Sequence, residues 1–271
     1  LFQHQRRWAK SPPPQGARAS ATPCPQILIP KAMRKKTNIM HPVRARDRAQ
    51  RWLEVYFRHE RRGQLRRAAH ALRMAIQVDP AWHVPHYNLG LLAKYQGRWL
   101  ASLQSNQKAT QLDPTNEAAW WNMGIAATAL GHWATAVQAW QGFGLKLEAH
   151  APDAETDFPC GTGPIRLKHN GEVVWSNRLD PARAKITSIP TQSSGRSYGD
   201  VVLNDGAPNG YRVYQEQQYA VLDELQLLQP SGFTTQLFKL ESASATAVEQ
   251  LEQACVDKGF GFENWSTSLQ W

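Results

Sequence analysis

The sequence predicts an α+β chain: an all-α solenoid of paired helices, then a small antiparallel β-barrel with an appended βαβ unit. Three observations carry this. A pattern recurs every 34 residues from about residue 50 to 146, the helical period stops at Gly142 and Gly144, and short apolar runs separated by turn residues follow. Gly63, Gly97 and Gly131 keep the 34-residue interval, as do Trp52, His86 and Trp120, and Ala68, Ser102 and Ala136. So do the pairs Pro80 and Pro114, Gly90 and Gly124, and Trp99 and Trp133. Units of this length bury their apolar faces only against their neighbours, so the period describes an architecture rather than a local motif. The expected organisation is a disordered basic tail over 1–40, a three-repeat solenoid over 49–146, a linker over 147–163 and a β-rich domain with one helix over 164–271.

Each repeat splits at its central glycine into two helices, expected over 50–61, 65–78, 83–95, 99–112, 117–130 and 133–146. The glycines sit where the first helix stops and a left-handed residue is needed. Pro80 and Pro114 bar continuation of the second helices. Gly90, Ser102, Gly124 and Ala136 are small where two helices must approach closely. Tyr56 holds the place of Gly90 and Gly124, which predicts a splayed or shifted first pair. Phe143 holds the place of Ala75 and Ala109, and Glu148 stands where a further proline would fall, so no fourth repeat is expected.

The run Tyr87-Asn88-Leu89-Gly90, then Gly97-Arg98-Trp99, Ala109 and Leu112-Asp113-Pro114, resembles the tetratricopeptide repeat. Trp120-Trp121-Asn122-Met123-Gly124 with Gly131-His132-Trp133 repeats it, and the resemblance covers roughly a third of the chain. It implies that the first helices line a concave groove holding a peptide or protein partner. The positions facing that groove are Leu53, Phe57, Glu60 and Arg61, then Tyr87, Asn88, Leu91, Lys94 and Tyr95, then Trp121, Asn122, Ile125 and Thr128. Aromatic anchors with a few amides suit peptide capture. The competing reading is a groove covered by the chain's own C-terminal domain or tail. Relatives that clamp a terminal carboxylate use Lys and Arg on successive first helices, but 117–130 has no basic residue, so Lys94 alone forms no two-sided clamp.

The net charge of +9 is concentrated at one end, because Arg6, Arg7, Lys10, Arg18, Lys31, Arg34, Lys35 and Lys36 meet no acid within residues 1–40. Nucleic acid is therefore the disfavoured partner, and the arginines from Arg44 to Arg73 read first as the solvated face of a terminal repeat. Prolines interrupt the tail, and Ile27-Leu28-Ile29 is too short for a signal or membrane segment. A start at Met33 or Met40, or a transit peptide, would each account for the tail. Cys24, Cys160 and Cys255 are odd in number and lack Cys-x-x-Cys spacing, which fits a reducing compartment and a cytoplasmic protein without cofactor.

Beyond Gly163, strands are expected over 164–169 and 172–179 around Asn170-Gly171, the strongest short hairpin signal, and over 184–189, 199–203, 211–215, 219–222 and 234–240. Asn209-Gly210 marks a second turn. A helix over 245–258 and a strand over 260–264 complete the expected βαβ unit. Val173, Trp175, Ile186, Ile189-Pro190 and Tyr198-Gly199-Asp200-Val201-Val202 together resemble a small bacterial barrel domain of unassigned function that follows such repeats. That resemblance implies a chain continuing past Glu263-Asn264-Trp265 into a Cys- and His-containing tail, and it transfers no catalytic residue.

Chemistry has three weak candidates. His83 and His86 could share a metal, but a closed zinc site takes four ligands and His86 falls in the packing slot of Trp52 and Trp120. Cys160 in Cys-Gly-Thr-Gly lacks both a phosphate-loop ending and an identifiable base. Asp200 beside Gly199 reads as a turn device. The expectation is a non-enzymatic interaction scaffold. Its alternatives are an antitoxin or immunity factor masking a bacterial toxin and a nucleic-acid binder using the basic N-terminal region.

Overall fold

The computed structural model describes residues 45–147, 154–241 and 244–265. The tail over 1–40 and the expected disorder there lie outside these residues, as does the linker stretch 148–153. The described chain divides into two compact units, with the break between Thr156 and Asp157.

The first unit is three helix hairpins: α1 (Ala45–Glu60) with α2 (Leu65–Val78), α3 (His83–Lys94) with α4 (Trp99–Leu112), and α5 (Glu117–Ala129) with α6 (Trp133–Phe143). The turn is the same in all three. Gly63, Gly97 and Gly131 have φ of 65°, 66° and 70°. The next residue's N–H then reaches five residues back: Gln64 to His59 O, Arg98 to Ala93 O and His132 to Ala127 O, each 2.9 Å. A glycine in the left-handed region is what lets this closure satisfy the last carbonyls of the first helix.

Close approach is set by a large residue sixteen positions after a small one. A Cβ on Gly90 would lie 2.4 Å from Asn106 Nδ2, and one on Gly124 would lie 2.4 Å from the Trp140 ring. Tyr56 reverses the pairing. Its partner position is Leu72, and the tyrosine sits buried with Ala68, Ala69, Ala71 and Leu72. The alanines supply the room that the missing glycine would have given, so the tyrosine joins the core rather than wedging the pair open. Burial pushes its hydroxyl up to about 12, with Glu60 and Tyr87 adding to the shift.

His86 occupies the tryptophan slot, and the geometry says why it fits. Trp120 Nε1 donates to Pro114 O at 2.8 Å, and His86 Nε2 lies 3.3 Å from Pro80 O one repeat earlier. Burial lowers the His86 pKa from 6.5, the Pro80 carbonyl opposing and Lys108 adding to it. A depressed folded-state value means that the unfolded chain binds the proton more readily. The stability this residue contributes is present above the ordinary histidine value and is lost as pH falls through it. Acidification from about pH 7.5 to about pH 5 is expected to lower the repeat unit's melting temperature, and His86→Trp to flatten that dependence. Thermal unfolding followed by circular dichroism checks both, and an unchanged pH profile in the variant would remove His86 from the account.

The second unit is one mixed sheet of five strands: β1 (Thr162–Arg166), β2 (Val173–Arg178), β3 (Arg183–Ile186), β4 (Val201–Tyr214) and β5 (Gln217–Gln229). Neighbours pair antiparallel in that order, and the sheet closes where β1 runs parallel to β5 at Ile165–Leu222 and Arg166–Asp223. The wholly antiparallel expectation is corrected by that last pair. Ile165, Leu167, Val174, Ala184, Ile186, Val202 and Leu222 fill the interior, alternating along each strand as period two requires.

Two expected turns change place or size. The Asn170-Gly171 hairpin is wider than two residues, with β1 ending at Arg166 and β2 starting at Val173. Asn170 carries Glu172 N–H and reaches Thr191 and Ser193, so its side chain braces a loop. Asn209-Gly210 does not turn the chain but lies inside β4, where pairing with β5 shifts register between Pro208 and Tyr211. The turn is Gln215-Glu216, both at positive φ (46° and 63°). Two such residues give the twist that a tight hairpin needs, although neither is the usual type.

The βαβ unit is also corrected. Helix α7 (Ala245–Asp257) forms, but 234–240 and 260–264 are not strands. Leu237, Phe238 and Leu240 are 67%, 77% and 51% exposed. Strand propensity is a fit to a half-buried surface, and this segment rests on none. The segment at 260–264 is held by a side chain instead, Glu263 Oε1 accepting from Ile189 N at 2.8 Å. Among the described residues no helix is long and apolar enough to cross a membrane.

Candidate binding face

The 34-residue period places Leu53, Tyr87 and Trp121 in one column across α1, α3 and α5, and Phe57, Leu91 and Ile125 in a second. Exposure falls along the second column. Leu53, Phe57, Tyr87, Leu91 and Trp121 are half-buried, whereas Ile125 is fully buried. Tyr95, at the C-terminal end of α3, is 58% exposed.

The polar positions on this face are mostly withdrawn from solvent. Asn88 is buried and its Nδ2 donates to Val84 O at 2.8 Å within its own helix, so that N–H is already committed. Asn122 and Thr128 are buried as well. Lys94, which the sequence placed at the open face, is 3% exposed, with Nζ 4.5 Å from the Tyr95 ring centroid. The cation and the aromatic face attract each other and orient that ring.

Trp121 is shared between face and core. Its ring meets Trp140 edge-on at 5.1 Å and Phe143 at 4.6 Å, both on α6. Sequence reasoning missed this triad because it read Phe143 only as a misfit to the small-residue column. The 34-residue comparison held the signal, since a bulky residue replacing Ala75 and Ala109 needs a bulky neighbour. Trp121 Nε1 and Thr128 Oγ1 are buried and have no hydrogen-bond partner among the described residues.

The candidates for chemistry resolve into local structure. His83 Nε2 lies 3.3 Å from Asp113 Oδ2, while His86 turns to Pro80, so the two rings do not converge. Thr115 holds the Asp113 carboxyl below its ordinary range, His83 contributing. Among the described residues no three His, Cys, Asp or Glu side chains are placed to hold a metal ion. Cys160 bonds through its backbone N–H to Arg178 O, extending the β1–β2 pairing, and its Sγ lies 3.0 Å from Phe158 O. Crowding of the sulfur raises the thiol pKa, Arg178 opposing, which is the wrong direction for a nucleophile. Asp200 accepts from Ser197 N at 2.8 Å and Ser231 N at 2.7 Å and so ties two turns together.

No family model and no curated protein matches this chain. Solved structures do, over a little more than a third of it. One is the second tetratricopeptide domain of Spaghetti (RPAP3) bound to the HSP90 peptide SRMEEVD, at 19% identity over 36% of this chain and 91% of that one, with a TM-score of 0.35. Another is MamA, at 20% identity over 35% of this chain and 56% of that one, TM-score 0.34. A third is an O-GlcNAc transferase of Thermobaculum terrenum, at 19% identity over 38% of this chain and 20% of that one, TM-score 0.35.

Proposed function

We propose that this protein is a non-catalytic interaction scaffold, cytoplasmic, that takes a peptide or an extended segment of a partner protein across the first-helix face of its repeats. The supporting observation is that Leu53, Phe57, Tyr87 and Leu91 stay half-buried and Tyr95 exposed along α1 and α3, whereas on α5 Ile125 is buried and Trp121 is half-buried against α6. Half-buried aromatics in fixed positions bind at low entropic cost, because their own packing has already ordered them. The anchors are therefore Phe57, Tyr87 and Tyr95, with Leu53 and Leu91 between them. Asn88, Lys94, Asn122 and Ile125 hold the face in shape, and Trp121 closes its α5 end. A free C-terminal carboxylate is a poor ligand here, since Lys94 is buried and α5 offers no cation.

Tyr87→Ala with Tyr95→Ala is expected to weaken capture of the partner from a native lysate by about thirtyfold, the effect of losing about 2 kcal/mol of anchor burial. The helical circular dichroism signal should stay unchanged. Undiminished capture by a folded double variant would move the binding surface elsewhere.

A further inference from the structure

A groove of about 670 Å³ lies between α2 and α4 with α3 as its floor. Leu65, Leu89 and Leu92 supply its apolar surface, and Arg66, Arg73 and Arg98 stand on its two walls. It uses the stripe of α3 that does not carry Tyr87 and Leu91, so it is separate from the face described above. No acid lines it. The three arginines are exposed, and none has an ion-pair partner among the described residues. An apolar slot between unpaired guanidinium groups selects an occupant with an apolar ridge and carboxylates beside it.

Helix α7 has that chemistry. Val248, Leu251 and Cys255 recur at helical spacing along one stripe, with Glu252 beside it, Glu249 further round the same side and no basic residue in the helix. None of its residues is buried, and Val256 and the following Phe260 are 59% and 64% exposed. We propose that α7 of one molecule docks in the α2–α3–α4 groove of a second copy, giving salt-sensitive self-association. Each molecule offers one helix and one groove, so the contact is head-to-tail.

Sedimentation velocity of the full chain tests this. Self-association at low salt is expected, weakening as ionic strength rises. Arg66→Glu with Arg73→Glu should weaken it about tenfold, and so should Glu249→Arg with Glu252→Arg. Mixing the two variants should restore association, because each then meets a groove or a helix of opposite charge. Circular dichroism confirms that both variants fold. A chain that stays monomeric at its highest attainable concentration overturns the proposal. So does association that survives the groove substitutions, or two variants that fail to rescue each other, since a different occupant or surface would then be at work. Loss of partner capture with self-association intact would bear only on the first-helix face, and the converse only on this groove.

Discussion

Asp180→Ala is expected to cost the β unit about 3–5 kcal/mol, because it removes the buried carboxylate paired with a buried guanidinium. Arg183 is 1% exposed and Asp180 3%. Asp180 Oδ2 accepts from Arg183 Nε at 2.6 Å, while Oδ1 accepts from the backbone N–H of Ala182 and Arg183, both at 2.7 Å. One carboxylate thus closes the turn into β3 and neutralises the arginine. Alanine takes the acceptor from two backbone amides and from the Arg183 Nε, while Arg183 Nη2 keeps Asp157, 2.9 Å away on a side chain that is 55% exposed. Asp157→Ala is expected to cost about 1 kcal/mol or less, as for other solvent-screened pairs. Hydrogen exchange of the β3 and β4 amides reports the loss separately from the helical unit. Equal losses in the two variants would show that burial of the pair is not what matters.

The second large effect is expected at Gly124. Its Cβ would meet the Trp140 ring at 2.4 Å, and that ring is itself 1% exposed and packed on Trp121. Gly124→Tyr should cost about 3 kcal/mol through overpacking. Adding Trp140→Leu copies the Tyr56 and Leu72 pairing of the first repeat and should recover more than half of that loss. Gly131→Ala makes a useful contrast. Space around it is open, so only its φ of 70° is strained, at a cost of about 1–2 kcal/mol. Urea unfolding of the three variants decides the ordering. A double variant no better than Gly124→Tyr alone would mean that the two positions are not coupled.

These effects differ in how far the sequence discloses them. The 34-residue period locates Gly124 and Gly131 before any coordinates are seen, and the helix ends follow from glycine and proline chemistry. Start and end positions of α2 to α5 fall within one residue of expectation, while α1 begins earlier, at Ala45, and α6 ends earlier, at Phe143. Gly144, at φ 108°, stops α6, which a search for helical period alone passes over. The Asp180–Arg183 pair has a local spacing, but nothing in the sequence says that it is buried.

The candidate binding face was legible as positions and not as exposure. Leu53, Phe57, Tyr87 and Leu91 are where the period puts them, yet Asn88, Lys94, Asn122 and Ile125 turned out to be buried. A helical wheel tells which residues share a side. It does not tell how neighbouring repeats close over that side, which depends on side-chain volumes several turns away. Trp121 shows this, since Phe143 and Trp140 on another helix decide how much of its ring is free.

By itself the sequence determined the three helix hairpins, because glycine, proline and small-residue positions act through neighbours a few residues away and leave a period on the chain. Tertiary structure alone decided the parallel closure of β1 on β5, the turn at Gln215-Glu216, the burial of Asp180 with Arg183, and the arginine-walled groove across three helices. Those features arise between segments distant in sequence, where pairing and burial depend on the whole packed unit and no local propensity encodes them.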